Sequence, residues 1–263
     1  MTQQSQAYHP GAQTVARAIA VLKCFTDAQP QLSLAEVALA TRLNKATAYR
    51  MLAALEKEGL VARQGEAYQL GPEAIVLGGR ALRATTLYGA SQAELVVLAA
   101  ASGESASLEA LVGHEVVILN EVASARLLGA MPSIGTRWAA HATSTGKAIL
   151  AQLPAAELEL LLARPLAAFT PHTLALPALR EQLAQVRARG YATVRDELEV
   201  GYAAVAASIH DHQGRPVAAV CLGGPSVRLI DARLAELAGP VAQAAARISE
   251  RLGYREAEPR TKN

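Results

Sequence analysis

From Ser33 to Gly71 the chain reads SLAEVALATRLNKATAYRMLAALEKEGLVARQGEAYQLG, a stretch that few folds accommodate. Ser33 is placed to cap a helix, and Glu36 three residues on completes a capping box. Leu34, Val37, Ala38 and Ala40 give that helix one apolar face. The pattern breaks at Arg42, Leu43 and Asn44. Asn44 is a second N-cap, and a new helical period resumes with Ala48, Met51, Leu52 and Leu55. Two helices this short and this close in sequence must cross rather than lie antiparallel. Gly59 ends the second, and residues 60–63 and 67–70 pair as a hairpin about Gln64-Gly65-Glu66. The order predicts a helix-turn-helix followed by a wing.

The second helix carries Lys45, Thr47, Tyr49 and Arg50 in its first turns, opposite its apolar side, with Glu56 and Glu58 at the far end. A helix N-terminus already favours phosphate through its free amides and dipole. Cations and short polar side chains there add phosphate contacts and base-edge donors. A three-helix bundle with a solvated basic face would explain the charge, but not the cap, the turn and the wing in sequence. Upstream, Val15, Ala18, Ile19, Leu22 and Phe25 form the stripe of a supporting helix over 14–25. Arg17 lies off that stripe, either near a phosphate or simply solvated.

The 263 residues suffice for two domains at roughly 100 to 200 residues each. A hydrophobic content of 51% excludes a disordered chain. No run approaches the ~18 apolar residues of a membrane span, and residues 1–11 lack the basic and apolar regions of a signal peptide, so a cytoplasmic protein is expected. The net charge of +2 carries no argument about nucleic acid for the whole chain. The two cysteines, Cys24 and Cys221, lie far apart without CxxC spacing, which supports neither a disulfide framework nor a zinc site.

After the wing, Pro72 begins a helix expected to reach about residue 91 and to link two domains. The texture then changes. Residues 106–112 and 116–122 are apolar and β-branched about Gly113-His114-Glu115, a hairpin. Residues 125–138 read as irregular, Ser144 as the cap of a helix to about 152, and 154–163 and 177–189 as further helices. Strands are expected at 191–195, 203–210 and 216–222, with Gly223-Gly224-Pro225 ending the last, before a helix over 231–252. The expected organisation is a disordered tail over 1–10, a winged helix-turn-helix domain over 11–71, a linker helix over 72–91, a mixed domain over 92–254 and a loose tail over 255–263.

Catalytic and metal motifs fail one by one. Thr145-Gly146-Lys147 lacks the first glycine and the following Ser or Thr of a phosphate loop. A GxSxG elbow is absent. His210 and His212 read as exposed hairpin histidines, and Asp196-Glu197 as a solvated pair whose side chains point to opposite strand faces. No histidine is placed to activate Cys221. No enzyme activity, metal or cofactor is therefore expected.

The pieces and their order resemble the IclR family of bacterial transcriptional regulators along nearly the whole chain. The match runs through Arg17-Ala18-Ile19-Ala20-Val21-Leu22, residues 43–52 (LNKATAYRML), 55–61 (LEKEGLV) and Tyr68-Gln69-Leu70-Gly71. It continues through residues 141–148 (HATSTGKA), Gly190-Tyr191 through Asp196-Glu197 to Gly201, and residues 218–225 (AAVCLGGP). The resemblance implies an α+β fold: a winged helix-turn-helix, a linker helix and a GAF/profilin-like effector domain with an antiparallel sheet, assembled as a homodimer or homotetramer. It assigns Lys45, Ala46, Thr47, Tyr49 and Arg50 as DNA contacts, with Arg17, Ser33, Arg63 and Tyr68 as weaker candidates. The effector pocket it implies involves Leu127, Ala130, Trp138, Ser144, Thr145, Asp196, Tyr202, Ala204 and Cys221. Family effectors are small metabolites, often organic or aromatic carboxylic acids. Where relatives run acids, this chain has Val194-Arg195-Asp196-Glu197, which removes a polar contact and adds a positive charge.

The expected function is therefore sequence-specific binding of a roughly palindromic double-stranded operator under the control of a small-molecule effector. The alternative is a metabolite-binding protein or enzyme whose N-terminal domain serves only assembly.

Overall fold

The computed structural model describes residues 10–26, 28–84, 86–124 and 134–255. By contacts the chain divides at Ala84 and Thr85 into two units, each with its own core.

The first unit runs α1 (Pro10–Lys23), β1 (Leu32–Ser33), α2 (Leu34–Thr41), α3 (Lys45–Lys57), β2 (Val61–Gln64), β3 (Ala67–Leu70) and α4 (Pro72–Ala84). The capping box at α2 forms as expected: Ser33 Oγ accepts from the Glu36 amide, and Glu36 accepts from the Ser33 amide at 2.8 Å. Arg42 takes a left-handed conformation, φ 56°, at the end of α2, and this turns the chain toward α3. Val21, Val37, Ala48, Leu52 and Val61 are sealed in the core these elements share. Tyr68 belongs to it too. The period-2 alternation of β3 and its register opposite Leu32 turn the ring inward, leaving 5% exposed. Its expected contact with DNA is corrected on that ground.

In the second unit α5 (Thr86–Ser102) leads to β4 (Ser105–Val112), β5 (Glu115–Val122) and β6 (Arg137–Ala139). After a single 3-10 turn come α6 (Ser144–Leu150), α7 (Ala155–Leu162), α8 (Leu176–Arg189), β7 (Ala192–Arg195), β8 (Tyr202–His210), β9 (Pro216–Pro225) and α9 (Asp231–Arg251). The strands form one antiparallel sheet in the order β6-β5-β4-β9-β8-β7, so the fold is α+β. One face carries α5 and α9 over Leu108, Val205, Ile209, Val220 and Leu222; the other carries α6 and α8 over Ala204, Ala206, Ala219 and Cys221. With helices on both faces, the middle of β8 and β9 is buried without alternation, which is why those strands read as continuous apolar runs. Glu94 ties α5 to α9 by accepting from Arg247 at 2.8 Å and Arg251 at 2.7 Å.

Four sequence expectations change. β9 does not stop at 222: Gly223 and Gly224 pair with β4 or β8, and Pro225 with Tyr202. Thr143, not Ser144, caps α6, its Oγ1 accepting from the Gly146 amide at 3.1 Å. Trp138 sits in β6 opposite Val116 rather than in irregular chain. His210 is half-buried against Tyr254, ring centroids 5.2 Å apart, because the turn of the β8–β9 hairpin folds under the end of α9.

Candidate functional site

Two surfaces collect the candidate residues. On α3, Asn44 Oδ1 accepts from the Thr47 amide at 2.8 Å and fixes where the helix begins. From that start the helical period sends Ala48, Leu52 and Leu55 into the core, and Lys45, Ala46, Tyr49 and Arg50 to solvent. Tyr49 is 53% exposed, an aromatic ring with no structural reason to face water. Arg50 reaches back to Thr47 Oγ1 at 3.4 Å. Among the described residues no ion pair engages Arg42, Lys45 or Arg50, so the charge at this helix start is unspent. The remaining candidates are less available. Arg63 bonds the Gly65 carbonyl at 2.9 Å and lies 3.6 Å from Glu66 in the wing. Ser33 spends its hydroxyl on its cap, and Arg17 is half-buried on α1.

The second surface is a cavity of about 380 Å³ in the sheet domain. Trp138, Ser144, Thr145, Tyr202, Ala204 and Cys221, named from sequence, all line it. Leu127 and Ala130 lie outside the described residues. Asp196 does not line it: with φ 59° it turns back, and its Oδ1 accepts from the Gly201 amide at 2.7 Å. Arg195 likewise adds no charge here, being held by Asp231 and the carbonyls of Ser226 and Leu229.

Of three charged residues at or behind the cavity wall, sequence reasoning passed over Glu109 and misread Glu197 and Lys147. Glu109 on β4 is 7% exposed; its oxygens accept from Ser107 at 2.8 Å and Thr145 at 2.5 Å. Burial raises its carboxyl above the ordinary value, against those two hydrogen bonds. Glu197 is buried, not solvated, and both its oxygens accept from the fully buried Lys147 ammonium, at 2.6 and 2.5 Å. Burial raises Glu197 and lowers Lys147, and each charge opposes the shift of the other. The glycine-lysine pair thus serves packing and charge: a Cβ on Gly146 would stand 2.1 Å from the Ala140 carbonyl, and Lys147 neutralises Glu197. A signal did exist, an acid inside an apolar strand and a lysine inside an apolar helix.

At the cavity floor the Cys221 thiol is pushed up to about 12, chiefly by burial, so it is a neutral wall 3.6 Å from Ser144 Oγ and no nucleophile. Tyr202 stands over Gly223, where a Cβ would meet its hydroxyl at 1.9 Å, and burial raises this phenol well above its usual range. No group of metal-ligating side chains occurs among the described residues.

Residues 14–65 match the IclR helix-turn-helix domain, and residues 79–250 match the bacterial transcriptional regulator IclR C-terminal domain. The transcriptional repressor IclR of Escherichia coli is 32% identical over 90% of this chain and 89% of its own. The crystal structure of Thermotoga maritima IclR aligns with TM-score 0.73 at 28% identity, covering 92% of this chain and all of that one (100%). An IclR homolog of Microbacterium hydrocarbonoxydans complexed with 4-hydroxybenzoate shares the fold, with TM-score 0.79 at 23% identity over 91% of this chain and 98% of its own. The Escherichia coli relative is by name a transcriptional repressor. The chain belongs to the IclR family of bacterial transcriptional regulators, with an N-terminal DNA-binding domain and a C-terminal effector-binding domain.

Proposed function

We propose that α3 enters the major groove of a roughly palindromic operator, with Lys45, Ala46, Thr47, Tyr49 and Arg50 toward the DNA, and that a small molecule in the cavity beside Ser144 and Cys221 governs that binding. The observation that carries the reading is the exposed, acid-free start of α3, capped by Asn44, which an assembly module would have no reason to keep. Two copies of the chain would present two such helices to half-sites about one helical turn, or a multiple, apart. The effector acts by differential affinity for arrangements of the DNA-binding units, passed on through the segment around Thr85. The domain organisation expected from sequence, including a linker over 72–91 and a cytoplasmic location, belongs to the same reading.

Arg50→Ala tests it. A gel-shift titration at fixed salt with the intergenic DNA upstream of the gene should show at least about a tenfold loss of affinity, the order of one base-contacting side chain. Ligand binding, followed at Trp138, should be unchanged. Unaltered DNA binding by the variant would remove α3 from the role assigned to it.

A further inference from the structure

Five consecutive residues, Glu197, Leu198, Glu199, Val200 and Gly201, line the cavity from the turn between β7 and β8. That turn is hung on two left-handed residues, Asp196 at φ 59° and Gly201 at φ 92°. Two bonds close its neck: the Asp196 amide donates to the Tyr202 carbonyl at 2.8 Å, and the Gly201 amide to Asp196 Oδ1 at 2.7 Å. The Ser226 amide holds the Gly201 carbonyl at 2.7 Å. Beyond the neck the turn stands in solvent, with 68% of Val200 exposed. A short segment with a fixed neck, a wet tip and one side on a cavity has the build of a flap.

A second segment reaches this turn from outside the cavity. Residues 163–175, between α7 and α8, carry no regular secondary structure. Connections beyond about 12 residues are uncommon in compact domains unless they serve a function. Thr173 is the hub of this one. Its hydroxyl accepts from the amides of Phe169 and Thr170 at 2.9 and 3.0 Å, and donates to the Glu197 carbonyl at 2.6 Å. Thr170 Oγ1 donates to the Asp196 carbonyl at 2.5 Å. The same segment is fixed ahead of α6, where His141 Nε2 donates to the Ala167 carbonyl at 2.8 Å and the His141 and Phe169 rings lie 5.8 Å apart. His141 leads directly into Ala142, Thr143, Ser144 and Thr145, which line the cavity too. Residues 163–175 thus bridge two walls of the cavity.

Resting on the reading of this cavity as the effector site, we propose that residues 196–201 are the flap through which its ligand enters, and that residues 163–175 brace this flap against the start of α6. Thr173, outside the lining, is the positioning residue and acts through the Glu197 backbone. Each opening pulls the Glu197 carbonyl from the Thr173 hydroxyl, so removing that donor raises the open population.

Hydrogen exchange read by mass spectrometry on the full-length, ligand-free protein tests this. Thr173→Val keeps the side chain's shape and loses all three bonds. Peptides spanning 197–202 should exchange about three- to tenfold faster, the net worth of one hydrogen bond, while peptides from α9 and α3 keep the parent's rates. Thr173→Ser restores the hydroxyl and should restore the rates. Gly201→Ala reaches the hinge by another route: a Cβ there meets nothing within 4 Å, so the substitution acts through φ alone and should speed the same peptides at least as much. Circular dichroism verifies the fold of each variant. Acrylamide quenching of Trp138, the single tryptophan and part of the same lining, should steepen in both fast variants. Exchange at 197–202 unchanged by Thr173→Val and Gly201→Ala, acceleration spread equally over α9, or quenching at Trp138 that ignores both variants overturns the proposal. Gel shifts with the upstream DNA and a panel of small alkyl and aryl carboxylates, benzoate among them, judge the effector reading separately. A panel that leaves DNA affinity unmoved counts against that reading and not against the flap. A carboxylate that shifts DNA affinity while exchange at 197–202 ignores both variants does the reverse.

Discussion

Lys147 shows how much one buried charge can decide. With no exposure of its own it exists in the folded chain only because Glu197 accepts from it through both oxygens. Lys147→Met should cost about 3–5 kcal/mol in urea unfolding, because it strands a buried carboxylate, while Lys147→Met combined with Glu197→Leu should recover most of that loss. Glu109 gives the complementary case, with a sign set by pH. It faces Ser107 on its own strand, Thr145 on α6, Glu121 on β5, Cys221 on β9 and Tyr202 on β8. Its carboxyl is raised above its ordinary 4.5 by burial. Stability contributed by the protonated form is thus complete below that value and is lost as pH climbs through the raised one. Glu109→Gln should match the parent's melting temperature near pH 4 and exceed it at neutral pH, as read by scanning calorimetry; an equal difference at both would show that Glu109 does not ionise in the fold. Glu109 left a signal, an acid inside an apolar strand, whereas Glu197 was not legible in sequence. Glu197 stands beside Asp196 and looks solvated, and only the left-handed turn at Asp196 sends one outward and the other in.

Elements were read best where local chemistry alone sets them. Both caps of the helix-turn-helix, Ser33 with Glu36 and Asn44 with Thr47, depend on residues three apart, and both form. Asn44→Ala should lower the stability of the first unit by about 1 kcal/mol and weaken DNA binding beyond what that loss explains, since the cap also fixes which residues leave α3 first. Chemical denaturation and gel shift on the same variant check the two parts. Elements set by distant partners were misread. Gly223-Gly224-Pro225 carries every local sign of a strand end, yet β9 runs on through it between β4 and β8. Those glycines stay small because Tyr202 and Glu104 occupy the space a Cβ would need. Tyr68 failed in the other direction: a polar-tipped aromatic on a wing suggests a groove contact, but the short sheet needs its ring as filling.

For the molecule as a whole, the two units share no core residue among the described residues, so each should answer to its own substitutions. Calorimetry of Asn44→Ala should displace a transition belonging to the first unit and leave the larger one in place. Lys147→Met should do the opposite, and a single transition shifted equally by both would mean the units unfold as one. The architecture of each unit was legible because it follows from periodicity and capping. The character of the cavity was not, since it is assembled from β4, β8, β9 and α6, elements distant in the chain. The contact between Tyr202 and Gly223 bears on how such a sensor changes its diet over generations. One added methyl group at 223 must swing that phenol from its seat and remodel the chamber while the caps and basic tip of α3, in the other unit, keep their own core. Descendants could thus acquire a new chemical cue without surrendering the genes they already address.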